Sequence, residues 1–207
     1  MNEYSFIFVG KMRERDEQKL KSIKEKAMQM IVKLGIEGFS MQKLAKAANV
    51  SPATIYIYFK DKEDLILHLG KEASEKMMEI SLKNFDPSMS FSEGLKLQWV
   101  NRAKYCLKYP DESLFLEQMR HSALHEKFIS MMGENFKTNM HAFVSNAIKR
   151  KELVNLPVEV YWSIAFAPLY NLIKFHMSGK SIGGRKFVFS EKIMMETFEL
   201  VLKALQP

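Results

Sequence analysis

Three residues with side chains that can bind metal, Glu117, His121 and His125, recur at four-residue steps and would share one face of a continuous helix. The stretch 122–124 is expected to interrupt that helix, so the sequence does not predict a metal site. A second candidate is the GKS of residues 179–181, which resembles the end of a phosphate-binding loop. That loop requires glycine where this chain has Lys174 and a strand where a helix is expected, so we reject a nucleotide site.

The sequence offers no candidate catalytic residues. It contains no nucleophile elbow, no HExxH zinc motif and no glycine-rich dinucleotide turn, so we expect neither an enzyme nor a cofactor. The single cysteine, Cys106, excludes an intramolecular disulfide and fits a reducing cytoplasm. No segment approaches the roughly 18 consecutive apolar residues of a membrane span, so no membrane partner is expected.

A binding function is indicated by SPATIYIYFKDK, residues 51–62, where hydroxyls and aromatic rings stand beside lysines. On a helix, Ile55 and Phe59 share one face and belong to a small core. The side chains that face largely away from it are Ala53, Thr54, Ile57 and Tyr58. Such an outward surface suits a DNA groove and its phosphates, although an ordinary three-helix core with incidental surface tyrosines is the alternative.

The distribution of charge supports the same reading. The chain carries a net charge of +7, and residues 11–60 hold eleven Lys or Arg against five Asp or Glu. Residues 61–207 are close to neutral, with a net charge of +2. A basic first quarter joined to a near-neutral body is typical of a nucleic-acid-binding module. The alternative is a basic face that is simply exposed to solvent.

The elements that must position these residues are helices, and the predicted fold class is all-α. Apolar residues at three- and four-residue steps predict an amphipathic helix from about Asp16 to Leu34, which Gly35 and Gly38 end. Residues 1–11 precede it and are expected to be a disordered extension or a loose arm. We therefore divide the chain into 1–11, a DNA-binding domain at 12–60 and a helical effector-binding and dimerisation domain at 61–207.

The second and third predicted helices are short and closely spaced. Ser40 is a good N-cap for the second, and Asn49 readily adopts the left-handed conformation that ends a helix sharply. Ser51 caps the third helix, and Pro52 occupies its first position, where a missing N–H costs nothing. Two short helices joined by such a turn form a helix-turn-helix, and a fourth helix begins at Asp61 or Lys62.

At this point the residues resemble the TetR family of bacterial transcriptional regulators, whose pattern is IAxxAGVSxGxxYxYFxxKxxL. This chain reads GFSMQKLAKAANVSPATIYIYFKDKEDL from Gly38 to Leu65. Asn49 and Ala53 replace two glycines that are common in the family. The matching positions are Phe39, Ser40, Leu44, Ala45, Ala48, Val50, Ser51, Tyr56, Tyr58, Phe59, Lys62 and Leu65.

The resemblance implies ten DNA contacts on a two-fold symmetric operator. Ser40, Tyr58 and Lys62 would meet phosphates, and Gln42 could pair with adenine. Contacts to base edges or sugars would come from the start of the third helix. A basic arm at residues 11–15 could also enter the minor groove. The full set is Ser40, Gln42, Lys43, Ser51, Pro52, Ala53, Thr54, Tyr56, Tyr58 and Lys62.

Beyond residue 90 the resemblance is architectural. Helices are expected near 91–108, 111–121, 125–151, 157–178 and 191–205, with a kink at Pro168. In this family the last two helices form a homodimer interface, and the middle helices hold an effector pocket. Candidate lining residues, which could equally be plain core, are Trp99, Tyr105, Phe115, Met119, Met131, Met132, Phe136, Met140, Phe166 and Tyr170.

The resulting hypothesis is a dimeric repressor that a small, largely apolar effector releases from its operator. One alternative is a regulator of the same fold without small-molecule control, acting as an activator or through a protein partner. Another is a helical small-molecule-binding protein that does not act on DNA. The operator, the effector and the regulated genes have no signature in these residues.

Overall fold

The structure, a computed structural model, describes the backbone of residues 3–131 and 134–207 and the side chains of residues 16–131 and 136–207. The described ranges are mostly helical, with one isolated antiparallel bridge between Lys180 and Lys186. The predicted all-α class is confirmed. The helices are α1 Glu3–Gly38, α2 Met41–Ala47, α3 Pro52–Tyr58, α4 Lys62–Ser81, α5 Phe91–Lys108, α6 Pro110–Arg120, α7 His125–Ser130, α8 Glu134–Lys149, α9 Val158–Ala165, α10 Ala167–Ser178 and α11 Glu191–Leu205.

The chain folds into two compact units. The first contains α1, α2, α3, the part of α4 up to Ser74, and also α6 and α7. The second contains the rest of α4 from Glu75, together with α5 and α8 to α11. The division differs from a simple cut along the sequence, because α6 and α7 join the unit that holds the helix-turn-helix.

The amino-terminal helix supplies one wall of the first core. Ile23, Ala27 and Ile31 recur at four-residue steps and are fully buried, as the helical periodicity predicts. The helix is interrupted at Gly35, whose φ of 75° lies in the left-handed region, and it ends at Gly38. The helix begins at Glu3, and the expected extension over residues 1–11 stays a prediction.

The helices α6 and α7 close the first core. Phe115 and Met119 of α6 are fully buried, and Phe128 of α7 packs against Gly70, where an added Cβ would lie 3.1 Å from the ring. The Gln118 side chain donates from Nε2 to the backbone carbonyl of Val32 at 3.1 Å. These contacts make α6 and α7 part of the fold that supports the helix-turn-helix.

The helix α5 carries much of the core of the second unit. Its inward residues include Leu95, Trp99 and Cys106, all essentially buried. The Trp99 indole donates from Nε1 to the carbonyl of Ala165 at 2.7 Å, which joins α5 to the end of α9. The backbone N–H of Phe91, at the start of α5, donates to the Glu152 carboxylate at 2.7 Å.

Two long helices expected from the sequence are each divided. The predicted helix 157–178 is interrupted at Phe166, two residues before Pro168, because proline removes a donor and crowds the preceding turn. The predicted helix 125–151 is described as α7 and α8. Because α7 belongs to the first unit and α8 to the second, one continuous helix would have to serve two cores.

The turn between α2 and α3 has the expected left-handed residue. Asn49 has a φ of 53°, and the N–H of Val50 donates to the carbonyl of Ala45 at 3.0 Å. This five-residue step back is the hydrogen bond of a Schellman motif, with Asn49 in the position that favours glycine.

We therefore expect Asn49→Ala to lower the free energy of unfolding by about 1 kcal/mol, because Cβ disfavours this conformation. Asn49→Gly should match or exceed the wild type, and the exposed Asn155→Ala serves as the matched control. Urea denaturation followed by circular dichroism measures the three variants. Equal stability of the Ala and Gly variants at position 49 would show that the turn does not need a left-handed residue.

Candidate nucleic-acid interface

The caps of α2 and α3 fix the start of each short helix. The Ser40 hydroxyl accepts the backbone N–H of Lys43 at 3.3 Å, and the Ser51 hydroxyl accepts that of Thr54 at 3.2 Å. The Ser51 and Thr54 hydroxyls are also 2.9 Å apart and share a hydrogen bond. Each cap satisfies a donor that a helix of seven residues would otherwise leave unpaired.

The helix α3 divides into an inner and an outer face. Ile55 and Phe59 are buried in the first core, as the sequence predicts. Tyr56 is 52% exposed and Ile57 is 76% exposed, which is unusual for side chains of this size. Tyr58 was expected to face away, yet it is half-buried against the core, so its ring packs while the remaining surface stays accessible.

The ten predicted DNA contacts fall between Ser40 and Lys62, on α2, α3 and the first residue of α4. Six of them are exposed: Gln42, Lys43, Ser51, Pro52, Ala53 and Tyr56. Four are half-buried: Ser40, Thr54, Tyr58 and Lys62. Their role as DNA contacts stays a prediction. The side chains of the basic segment 11–15 lie outside the described residues.

The lysines near this surface are available to bind anions. Within the part of the chain that the structure describes, no carboxylate pairs with Lys43, Lys46, Lys60 or Lys62. The neighbouring acids are occupied at the start of α4. Asp61 accepts the backbone N–H of Asp64 at 2.8 Å, and Asp64 accepts that of Lys60 at 2.9 Å. The positive charge of this surface is therefore not neutralised by the local carboxylates.

The candidate effector residues fall in different units. Phe115 and Met119 are core residues of the first unit, and Met131 lies exposed at the end of α7. The remaining described candidates belong to the second unit, where Trp99, Tyr105 and Phe166 are buried and the others are half-buried: Phe136, Met140 and Tyr170. Met132 lies outside the described residues.

The helix α5 carries buried polar residues that were not predicted from the sequence. Gln98 and Arg102 are both fully buried, and Arg102 donates from Nη1 to the Tyr170 hydroxyl at 2.7 Å. The sequence did contain a signal for them. The two residues are four positions apart, so they share the face of the helix whose neighbouring inward positions are apolar.

The metal candidates do not share a helix, because α6 ends at Arg120 and α7 begins at His125. Among the described residues, the structure brings together no group of three metal-binding side chains. Along the same part of the chain, no helix has both the length and the apolar character needed to cross a bilayer.

The geometry defines a helix-turn-helix of the DNA-binding class, followed by a helical second unit. Residues 23–69 match the family described as "Bacterial regulatory proteins, tetR family". Along 94% of its length, the chain is similar to a TetR family transcription regulator from Marinobacter aquaeolei VT8, with 26% identity, a TM-score of 0.71 and 98% of that chain covered. The predicted resemblance is confirmed: residues 23–69 match this family, and the chain is similar to a TetR family regulator along most of its length.

Curated relatives resemble the amino-terminal part. An uncharacterized HTH-type transcriptional regulator of Haemophilus influenzae is 36% identical over 72 residues, which cover 35% of this chain and 38% of the relative. The fatty acid metabolism regulator protein of Bacillus subtilis is 33% identical over 79 residues, covering 38% of this chain and 41% of the relative. The chain thus spans about two fifths of the length of these relatives, which are named as regulators and not as enzymes.

The unpaired lysines generate a test of the electrostatic part of binding. Each phosphate contact contributes about 0.9 to the slope of log binding constant against log salt concentration. We expect Lys43→Ala to reduce that slope by about 1 and to weaken binding to all duplexes alike. Lys96→Ala, an exposed lysine on α5, is the matched control. Fluorescence anisotropy across a salt series measures both, and an unchanged slope for Lys43→Ala would remove Lys43 from the interface.

Proposed function

We propose that the chain is a dimeric, sequence-specific transcriptional repressor that a small effector releases from a two-fold symmetric operator. The proposal rests on the exposure of the outer face of α3. There, Tyr56 and Ile57 are exposed and the caps of the helix leave its amino end accessible. A short helix with exposed small, hydroxyl and aromatic side chains beside unpaired lysines fits the major groove of DNA.

The chemistry of the side chains assigns them different roles at the proposed interface. The lysines and hydroxyls would hold the phosphates and fix the register of the protein on the duplex. Ala53, Thr54 and Tyr56 would supply the sequence preference through contacts with base edges and thymine methyl groups. Because Gln42 is exposed near the start of α2, its amide is free to pair with adenine.

The dimer is proposed to form through α10 and α11. Leu200 of α11 is 67% exposed, and Ile193, seven residues earlier on the same face, is only half-buried. Phe175 and Leu172 of α10 are half-buried as well. An apolar stripe on two adjacent helices suits a self-complementary interface, and a symmetric dimer would present two recognition helices to two half-sites.

The experiment that tests DNA recognition uses a duplex selected from a random pool by the wild-type protein, with a scrambled duplex beside it. We expect Tyr56→Ala to weaken binding to the selected duplex about tenfold or more, with a much smaller effect on the scrambled one. Val188→Ala, an exposed apolar residue of the second unit, is the control. If the wild type does not discriminate between the two duplexes, the regulator proposal fails.

The dimer interface is tested by Leu200→Glu. Burying two carboxylates across a symmetric interface is unfavourable, so this variant should sediment as a monomer at concentrations where the wild type is dimeric. Its affinity for the selected duplex should fall with the loss of the second half-site. Val188→Glu introduces the same charge on an exposed residue outside these helices. A wild type that sediments as a monomer, or a dimer that Leu200→Glu leaves intact, contradicts the proposed interface.

A further inference from the structure

The second unit buries a positive charge that has no counter-ion among the residues whose side chains the structure describes. The Arg102 side chain is 0% exposed, and across the described residues no carboxylate forms an ion pair with it. With the described side chains, the guanidinium forms one hydrogen bond, from Nη1 to the Tyr170 hydroxyl, a neutral acceptor. Removing a guanidinium from water costs several kcal/mol unless charge and hydrogen bonds replace the lost hydration. Arg102 therefore needs an explanation beyond packing.

Aromatic rings replace part of that hydration. The guanidinium carbon lies 4.4 Å from the centre of the Phe166 ring, 5.3 Å from that of Trp162 and 5.9 Å from that of Phe136. The negative faces of these rings attract the charge. They offer no oxygen or nitrogen acceptor to its N–H groups, however, so one edge of the guanidinium has no hydrogen-bond partner.

The unsatisfied atoms form one edge of the guanidinium. Nε and Nη2 are buried and have no hydrogen-bond partner. In the planar guanidinium these two nitrogens are neighbours, and their N–H bonds point the same way. That fork matches the two oxygens of a carboxylate, which accepts both hydrogens at once. The chemistry left open at Arg102 is thus specific for a planar anion.

Two further residues leave buried polar atoms unpaired in the same unit. Gln98, one helical turn before Arg102 on α5, has no partner for Nε2 or for Oε1. The Tyr161 hydroxyl is also buried and unpaired, and burial raises its pKa, opposed only by the positive charge of Arg102. Tyr161 is therefore a neutral hydroxyl able to donate to an anion.

The concentration of these atoms distinguishes a site from imperfect packing. Of the eight buried side-chain atoms that lack a partner within the described residues, five belong to Gln98, Arg102 and Tyr161. Native cores leave few such atoms, because each has lost its hydrogen bonds to water without replacement. Arg102 and Gln98 lie on one face of α5. The centre of the Tyr161 ring lies 6.2 Å from that of Phe166, the ring that the Arg102 guanidinium approaches to 4.4 Å.

We propose that the effector carries a carboxylate, and that Arg102 binds it through Nε and Nη2 while Gln98 Nε2 and the Tyr161 hydroxyl donate to the same group. The apolar remainder of the effector would lie against Phe136, Trp162 and Phe166. This inference rests on the effector control of the proposed function and names its chemical class. A cationic effector is excluded, because it would place a second positive charge beside Arg102.

The binding experiment reads the intrinsic fluorescence of the whole protein, whose two tryptophans, Trp99 and Trp162, both belong to the second unit. The probes are octanoate, dodecanoate, hexadecanoate and 4-phenylbutyrate, each beside its methyl ester and its amine of equal length. At least one carboxylate should bind about tenfold to a hundredfold more tightly than its ester, as expected for hydrogen bonds to a charged group. No saturable binding by any carboxylate, or equal binding by the esters, overturns the proposal.

Two substitutions at position 102 separate charge from shape. Arg102→Met keeps most of the volume and should remove the preference for the acid over its ester, without loss of thermal stability in the free protein. Arg102→Lys keeps the charge but not the fork, so its preference should be intermediate. Lys104→Met, an exposed lysine on the same helix, is the control. An acid preference that survives in a folded Arg102→Met or Arg102→Lys variant unchanged refutes the role of Arg102.

Operator release is measured separately, by anisotropy on the selected duplex. The site is supported when the carboxylate binds by tryptophan fluorescence and releases the duplex only from proteins that retain Arg102. If the carboxylate binds in that way without releasing DNA, the anion site stands and effector control of the proposed function fails. If a neutral or cationic molecule releases DNA while no carboxylate binds, effector control stands and the anion site fails.

Discussion

The structure of the first unit depends on one constraint: α3 is seven residues long and cannot hold its shape alone. An isolated helix of that length is unstable in water, because its few hydrogen bonds do not offset the entropy of nucleation. Its order comes from Ile55 and Phe59, which are buried against α1, α2 and α6, and from the hydroxyl cap of Ser51. The outer side chains can then serve recognition, because the buried residues and the cap supply the stability of the helix.

The local features of this unit could be predicted because each has a local cause. Asn49 adopts a left-handed φ, Ser40 and Ser51 cap their helices, and Pro52 stands where no N–H is needed. Each follows from the conformational preference of one residue and from the helical period. The same reasoning placed Ile55 and Phe59 on the buried face, although it assigned Tyr58 to the open side.

The parts that could not be predicted depend on distant segments. Phe115 and Met119 are large apolar residues of the type that lines effector pockets, yet they pack with Gly70 and Phe128 in the first core. The sequence of α6 alone does not indicate which core these residues join. The placement of α7 in the first unit and of α8 in the second likewise depends on distant segments.

The polar residues of the two units answer different physical demands. On α2 and α3, exposed lysines and hydroxyls keep their hydration until phosphates replace it, so they cost the free protein little. On α5, Arg102 and Gln98 are already removed from water in the free protein. Their unpaired atoms therefore lower the free energy of unfolding before any ligand binds. A hydrophobic residue of similar volume would remove that cost, since buried charges are often replaced by apolar side chains without loss of stability. Packing alone therefore gives no reason for an arginine at this position. A ligand that supplies the missing acceptor gives such a reason, because the hydrogen bonds that the free protein lacks form when the ligand binds.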